Sequence, residues 1–231
     1  MIFRQLFEPE SSTYTYLLGC PKSGAAVLID PVLETAERDL DAVQALGLTL
    51  VWTVETHVHA DHVTAAARLR ALSGCKAAFP AGEEIAGADA YLSEMEPLEA
   101  SGVTLQPLFT PGHTDHHHCY ITDGRVFTGD ALLIGGCGRT DFQGGCAATL
   151  YRSVQSKIFT LPDETIVYPG HDYRGLQASS VGEERAGNAR LGGGRTEAEF
   201  VEIMAALDLP YPRKIDIAVP ANRRCGTLLD G

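Results

Sequence analysis

Four side chains that can bind a transition metal lie within six residues, in the segment 56–62. They are His57, His59, Asp61 and His62. Neutral imidazole and carboxylate are the usual protein ligands of zinc and iron. An apolar run at 50–54 precedes the segment and predicts a buried strand over 48–55. Because side chains two residues apart in an extended chain share a face, this spacing predicts a metal site where the strand ends.

Three more residues of this kind follow later strands in the same way. They are His113, Asp130 and His171, and each has a glycine or proline close by. Strand ends converge on one edge of a sheet, and binding residues favour loops that rigid elements hold. We therefore expect the seven side chains to meet in space. By spacing alone, such a set could bind two metals and catalyse hydrolysis.

The elements that must position these residues alternate between strand-like and helix-like segments. Helices are predicted over 34–46, 63–72, 147–159, 177–185 and 196–207, followed by a basic tail. This alternation favours an α/β sandwich with helices on the outside. No linker or low-complexity segment divides the 231 residues, so a single domain spanning 1–231 is predicted.

The overall composition is that of a globular protein, with 45% hydrophobic and 21% charged residues. The formal net charge of −12 disfavours nucleic acid or an anionic membrane as a partner. Residues 1–7 are typical of a strand rather than of a signal or transit segment, so a cytoplasmic location is expected. Six scattered cysteines form no C-x-x-C pair, and we expect most to be buried thiols.

Four motifs together resemble the metallo-β-lactamase superfamily. They are Thr-His-x-His-x-Asp-His at 56–62, Pro-Gly-His-Thr at 111–114, Thr-Gly-Asp at 128–130 and Gly-His at 170–171. The resemblance implies an αββα sandwich with its metal site at one edge of the two sheets. Longer matches at 128–134, 137–143, 168–173 and 216–226 resemble the persulfide dioxygenases, the sulfur dioxygenases of the ethylmalonic-encephalopathy protein type. That family implies non-haem Fe(II), one per chain, with glutathione persulfide and O2 as substrates and sulfite and glutathione as products.

The same resemblance implies that His57, His113 and Asp130 bind the iron. Two histidines and one carboxylate form a facial triad, which leaves positions open for the substrate sulfur and O2. The remaining four metal-capable residues would then surround the ligands and orient them; these are His59, Asp61, His62 and His171.

Glutathione carries two carboxylates, so an acidic protein must offer basic or polar groups locally. The predicted substrate-binding residues are Arg139, Tyr173, Lys214, Asn222 and Arg224, and the predicted catalytic residues are Arg139 and Tyr173. The basic residues between 213 and 224 also fit a solvated tail, and this alternative stays open.

Three further questions stay open at this point. The superfamily motif does not require the histidine run at 116–118, which also fits a polar strand edge. The seven-residue set also fits a binuclear hydrolase of glutathione thioesters similar to glyoxalase II. The sequence leaves a homodimer open.

Overall fold

The computed structural model describes residues 1–228. These residues form two compact units, one of Met1–Leu105 with the segment from Tyr211 onwards, and one of Gln106–Pro210. The strands are β1 (Ile2–Glu8), β2 (Thr13–Gly19), β3 (Ala25–Ile29), β4 (Thr49–Val54), β5 (Lys76–Pro80), β6 (Ala90–Leu92), β7 (Leu98–Ala100), β8 (Val103–Phe109), β9 (His118–Thr122), β10 (Arg125–Gly129), β11 (Ile166–Pro169) and β12 (Ser179–Ser180). The helices are α1 (Ala36–Ala45), α2 (Ala66–Ser73), α3 (Ala147–Ser153), α4 (Val181–Gly187), α5 (Glu197–Ala205) and α6 (Ile215–Asn222).

The first unit contains a mixed sheet in the order β1-β2-β3-β4-β5-β6. Strands β1 to β3 pair antiparallel, whereas β3 to β6 are parallel. Parallel neighbours need a crossover, and α1 and α2 supply it, packing Val43 and Leu69 into a core with Leu28. Because β3 and β4 are parallel neighbours, the residues that follow each of them lie at the same edge of the sheet.

The second unit contains most of another mixed sheet, in which β8, β9, β10, β11 and β12 are successive neighbours. Strand β8 begins in the first unit beside β7 and continues into the second, where it pairs with β9. Strands β8, β10 and β11 run in one direction and β9 in the opposite one. The ends of β8, β10 and β11 therefore lie at the same edge as the start of β9.

The turn between β9 and β10 forms a tight hairpin. Asp123 and Gly124 both have positive φ, at 49° and 72°. Two such residues are what a tight type I′ hairpin turn requires. The turn brings β10 back beside β9, and Asp130 follows directly at its end.

The helices form near their predicted positions, with shifted ends. Helix α2 begins three residues later than expected, at Ala66, because the segment before it pairs with the loop after β3. Leu33 donates to the Val63 carbonyl at 2.9 Å, and Ala65 donates to the Pro31 carbonyl at 2.7 Å. Gly74 ends α2 in the left-handed conformation, as its position predicts.

The C-terminal part of the chain corrects a prediction. The sequence suggests a basic tail after residue 207, but Ile215–Asn222 forms α6 in the first unit. Its buried residues Ala218 and Ala221 pack with Val63, which explains why a short apolar stretch becomes helical here. Among residues 1–228, no helix is long and apolar enough to cross a membrane. The single domain remains a prediction, for which one cooperative unfolding transition would be the test.

Candidate metal centre

The first cluster consists of Asp30 and residues 55–62, all in the first unit. Asp30 follows β3, and Thr56 and His57 follow β4, so the parallel pairing of these strands brings them together. Asp30, His57 and His59 are all buried. Buried charged groups are stable only when they are paired or hydrogen-bonded, so their contacts are the informative feature.

A chain of hydrogen bonds runs from Asp30 through Thr56 to His57. The Thr56 amide donates to Asp30 Oδ1 at 2.7 Å, and the Thr56 hydroxyl donates to Asp30 Oδ2 at 2.9 Å. Since that hydroxyl has one proton, it accepts the 2.9 Å bond from His57 Nδ1. His57 therefore carries its proton on Nδ1 and presents the lone pair of Nε2, as a metal ligand must.

His59 has a different role in the first cluster. Its Nε2 lies 3.1 Å from Asp30 Oδ1 and 3.3 Å from Glu55 Oε2. Burial opposes its charge, but the two carboxylates outweigh burial and raise the pKa of His59 well above its usual value. Burial also raises the pKa of Glu55, against the hydrogen bond from His59. His59 thus serves as a donor that compensates two buried carboxylates.

Asp61 and His62 complete the first cluster. His62 Nδ1 lies 3.0 Å from Asp61 Oδ2. Among residues 1–228, the buried atoms His59 Nδ1 and His62 Nε2 have no hydrogen-bond partner. One ligand atom from each of His59, Asp61 and His62 lies within 4.8 Å of the others. Buried nitrogens without protein partners fit a nearby metal ion, so this set corresponds to the second position of the two-metal arrangement that the spacing alone allows.

Asn222, at the end of α6, corrects a predicted substrate contact. Its side chain is only 1% exposed, and its amide donates to the carbonyls of His59 and His62, both at 2.9 Å. Its oxygen accepts the Thr64 amide at 2.8 Å. Both amide protons are used inside the protein, so Asn222 braces the loop of the first cluster and has no amide proton left to donate to a substrate. Gly226 packs against the same loop. A Cβ at this position would overlap the Thr64 carbonyl oxygen, and the φ of +83° also favours glycine.

The second cluster consists of His113, His117, Asp130 and His171, all in the second unit. Three of them follow β8, β10 and β11, and His117 precedes β9, so all four lie at the shared sheet edge. Asp130 Oδ2 is 3.5 Å from His113 Nε2, and Asp130 Oδ1 is 3.5 Å from His171 Nε2. Charged hydrogen bonds are shorter than this, at about 2.7–2.9 Å. Ligand atoms around one metal stand roughly 3–3.5 Å apart, so the spacing fits a shared ion.

A backbone carbonyl orients His113. Its Nδ1 lies 2.7 Å from the Arg139 carbonyl, which can only accept, so the proton is on Nδ1 and Nε2 faces Asp130. The loop carrying Arg139 approaches closely because of Gly138. A Cβ at Gly138 would lie 2.8 Å from both His113 Nδ1 and the Asp130 Cβ. The absence of a side chain at Gly138 thus permits this close packing against His113 and Asp130.

The side chains of Arg139 and Lys214 already have carboxylate partners. The Arg139 guanidinium binds both oxygens of Asp141, at 2.7 and 2.8 Å, and also donates to the Pro210 carbonyl. Lys214 Nζ lies 3.0 Å from both Glu10 and Glu34. A substrate carboxylate would have to displace these groups. The structure therefore does not support either residue as a ready-made substrate site.

Tyr173 and Arg224 remain accessible. Tyr173 is 73% exposed, and its ring stacks on His171 with centroids 6.1 Å apart. Arg224 is exposed, and its guanidinium makes no ion pair within the described part of the chain.

Cys137 is buried, as expected for most of the six cysteines, and burial raises the pKa of its thiol to about 11.

Asp30, Glu55 and His117 are the site residues that sequence reasoning did not assign. Asp30 follows β3 just as His57 follows β4, and this shared position is the sequence signal that could have identified it. Glu55 adjoins the motif, yet a glutamate at a strand end is usually solvated. His117 lies in a run of three histidines, and only the structure distinguishes it from its neighbours.

Two mixed sheets with histidines and carboxylates at their strand ends are features of the metallo-β-lactamase superfamily. The family model of this superfamily matches residues 9–171. Two curated relatives, named "Persulfide dioxygenase ETHE1, mitochondrial", come from Bos taurus and Homo sapiens. They are 50% and 49% identical to this chain, and the alignments cover 98% of this chain and 89% of each relative. The crystal structure of ETHE1 from Myxococcus xanthus superposes with a TM-score of 0.95 at 50% identity, covering 98% of this chain and all of that one. The chain belongs to the persulfide dioxygenase family within this superfamily.

The comparisons confirm the predicted family and fold class, with two mixed sheets flanked by helices. They also bear out the dioxygenase over the alternative, a hydrolase similar to glyoxalase II. The predicted cytoplasmic location is wrong by the same comparison, because the relatives from Bos taurus and Homo sapiens are named mitochondrial. That prediction rested on residues 1–7 alone.

Proposed function

We propose that this protein oxidises glutathione persulfide with O2, using one ferrous iron per chain. The reaction consumes one persulfide, one O2 and one water, and yields sulfite and glutathione. Membership of the persulfide dioxygenase family supports this proposal. The structural observation that carries it is the matching orientation of two histidines, His57 and His113. Each is held as the Nδ1–H tautomer, one by Thr56 and the other by the Arg139 carbonyl.

The proposed iron ligands are His57 Nε2, His113 Nε2 and the Asp130 carboxylate. Two histidines and a carboxylate are the ligand set of non-haem ferrous oxygenases, and this set leaves positions open. His59 is not proposed as a ligand, because its Nε2 compensates Asp30 and Glu55. Asp61, His62 and His171 are proposed as surrounding groups that orient the ligands and adjust their charge.

When bound, ferrous iron would supply the electrons that activate O2 and a binding position for the persulfide sulfur. The protein's part is placement and charge. The Asp30–Thr56 chain keeps His57 in one tautomer and increases the basicity of its imidazole. His171 stands beside Asp130 Oδ1 and restricts the orientation of that carboxylate.

Arg224 and Tyr173 are the proposed contacts to glutathione. Arginine presents a planar fork that suits a carboxylate, and the guanidinium of Arg224 forms no ion pair with an acid among residues 1–228. Tyr173 supplies a hydroxyl next to His171. Arg224→Ala should therefore raise the KM for glutathione persulfide more than Arg213→Ala, which removes another exposed arginine from the same segment.

Oxygen uptake and sulfite release, measured together, test the proposed reaction. The iron-loaded protein should consume O2 only when glutathione persulfide is added, with one sulfite formed per O2. Glutathione thioester cleavage, followed in the same preparation without oxygen, should stay at background. Persistent thioester cleavage without persulfide-dependent O2 uptake would refute the proposal in favour of the hydrolase.

A further inference from the structure

The three histidines at 116–118 have different surroundings, although they are adjacent in sequence. His116 is partly exposed and lies 3.8 Å from Asp115. His118 begins β9, bonds through Nδ1 to the His116 carbonyl and packs against the ring of Phe109. His117 is fully buried, with no exposed surface. His117 is the residue of this run that accepts a hydrogen bond from the Asp130 amide.

The ring of His117 is fixed at both nitrogens. The backbone amide of Asp130 donates to His117 Nε2 at 3.2 Å. An amide can only donate, so Nε2 carries the lone pair and the proton is on Nδ1. Nδ1 lies 3.0 Å from the Thr110 hydroxyl, which accepts that proton, and the Thr110 amide in turn donates to the His117 carbonyl at 2.9 Å. The loops after β8 and β10 are thereby joined through one imidazole.

This contact matters because the protein holds Asp130 mainly by its backbone. The amide binds His117, and the carbonyl accepts the Gly138 amide at 2.8 Å. The side-chain oxygen Oδ1, by contrast, has no hydrogen-bond partner among residues 1–228. The position of the carboxylate therefore depends on the backbone, and removal of His117 would leave a buried amide donor without an acceptor.

We propose that His117 is a positioning residue that sets the place of the Asp130 carboxylate and so the affinity for the metal. It acts as a hydrogen-bond acceptor and does not coordinate the ion. The inference rests on the proposed function only in naming Asp130 as a ligand. It gives the histidine run a specific role at one position out of three.

Three variants test this role. His117→Leu removes the acceptor, whereas His117→Gln keeps an oxygen near the position of Nε2. His118→Leu is the matched control, since it also removes a buried histidine. Cobalt(II) serves as the probe, since its absorption reports both affinity and ligand geometry without catalysis. Thermal unfolding of the metal-free proteins is measured in parallel, so that loss of stability is separated from loss of binding. If the leucine variant does not fold, His117→Met takes its place.

His117→Leu should weaken cobalt binding about 10–100-fold and change the absorption spectrum. His117→Gln should restore most of the affinity, and His118→Leu should bind as the unaltered protein does, even if its Tm falls. Equal affinities for His117→Leu and His118→Leu would overturn the inference, as would failure of glutamine to restore binding. A protein that binds cobalt but shows no persulfide-dependent O2 uptake would refute the proposed reaction, while the cobalt comparison would still decide the role of His117.

Discussion

The two clusters fix their histidines by different means. In the first cluster, the buried Asp30 carboxylate accepts two hydrogen bonds from Thr56, and His59 Nε2 lies close to the carboxylates of both Asp30 and Glu55. In the second, backbone groups do most of this work, through the Arg139 carbonyl and the Asp130 amide. The negative charge of Asp30 is therefore compensated within the protein, whereas Asp130 Oδ1 has no donor among the described residues. This difference supports the proposal that Asp130, in the second cluster, is the carboxylate ligand of the metal.

The largest expected effect comes from removing that carboxylate. Asp130→Ala should lower the iron content from about one per chain to below roughly 0.1, because the triad loses its only anionic ligand. Asp61→Ala is the matched control in the first cluster and should retain close to the full iron content. Elemental analysis of both proteins, purified without oxygen, checks this. Equal iron loss from the two variants would show that the clusters do not differ in the proposed way.

A smaller effect is expected from Asp30→Asn. The change weakens the acceptor for the Thr56 hydroxyl and so loosens the tautomer of His57, which should weaken iron binding about 10–100-fold. Asp39→Asn is the control, since Asp39 is a buried carboxylate of the same unit that bonds to Arg38 and Thr35. Competition with a ferrous chelator gives both dissociation constants. A similar loss of affinity in the two variants would mean that Asp30 acts only through stability.

The smallest effect on iron is expected from Asn222→Leu, although stability should fall. The change leaves three buried backbone groups without partners, so the free energy of unfolding should drop by roughly 3 kcal/mol. Iron affinity should change less than tenfold, because none of these backbone groups belongs to a proposed ligand. Asn188→Leu is the matched control, since Asn188 bridges the Leu133 and Gly136 carbonyls in the second unit. Denaturant unfolding and chelator competition supply the two measurements, and loss of iron as complete as in Asp130→Ala would contradict the assignment.

Sequence patterns predicted those features of the fold and the site that depend on local residue type and spacing. The motif at 56–62 predicts a metal site, and each of His113, Asp130 and His171 follows its strand as expected. The Asp123–Gly124 turn and the end of α2 at Gly74 also follow from local backbone chemistry. The family resemblance then supplied the reaction, which no pattern of strands and helices could provide.

The contacts that sequence reasoning missed are long-range. Asn222 was expected to bind substrate as part of the 216–226 segment, but its side chain accepts the amide of Thr64, 158 residues away. Arg139 was expected to bind a carboxylate through its side chain, yet its carbonyl orients His113. A one-dimensional pattern records the residue type but not which atom faces the site. Sequence reasoning assigned no role to Asp30 or Glu55, and it left the role of the histidine run at 116–118 open.

Crystals of the protein grown with ferrous iron in the absence of oxygen would test the central claim most directly. Anomalous difference maps recorded on either side of the iron absorption edge locate the metal independently of any assumed ligand set. We expect one iron per chain, bound by His57 Nε2, His113 Nε2 and Asp130, with His59 Nδ1 and His62 Nε2 outside bonding distance. A second iron bound by Asp61 and His62, or coordination of the first by His59, would contradict this expectation.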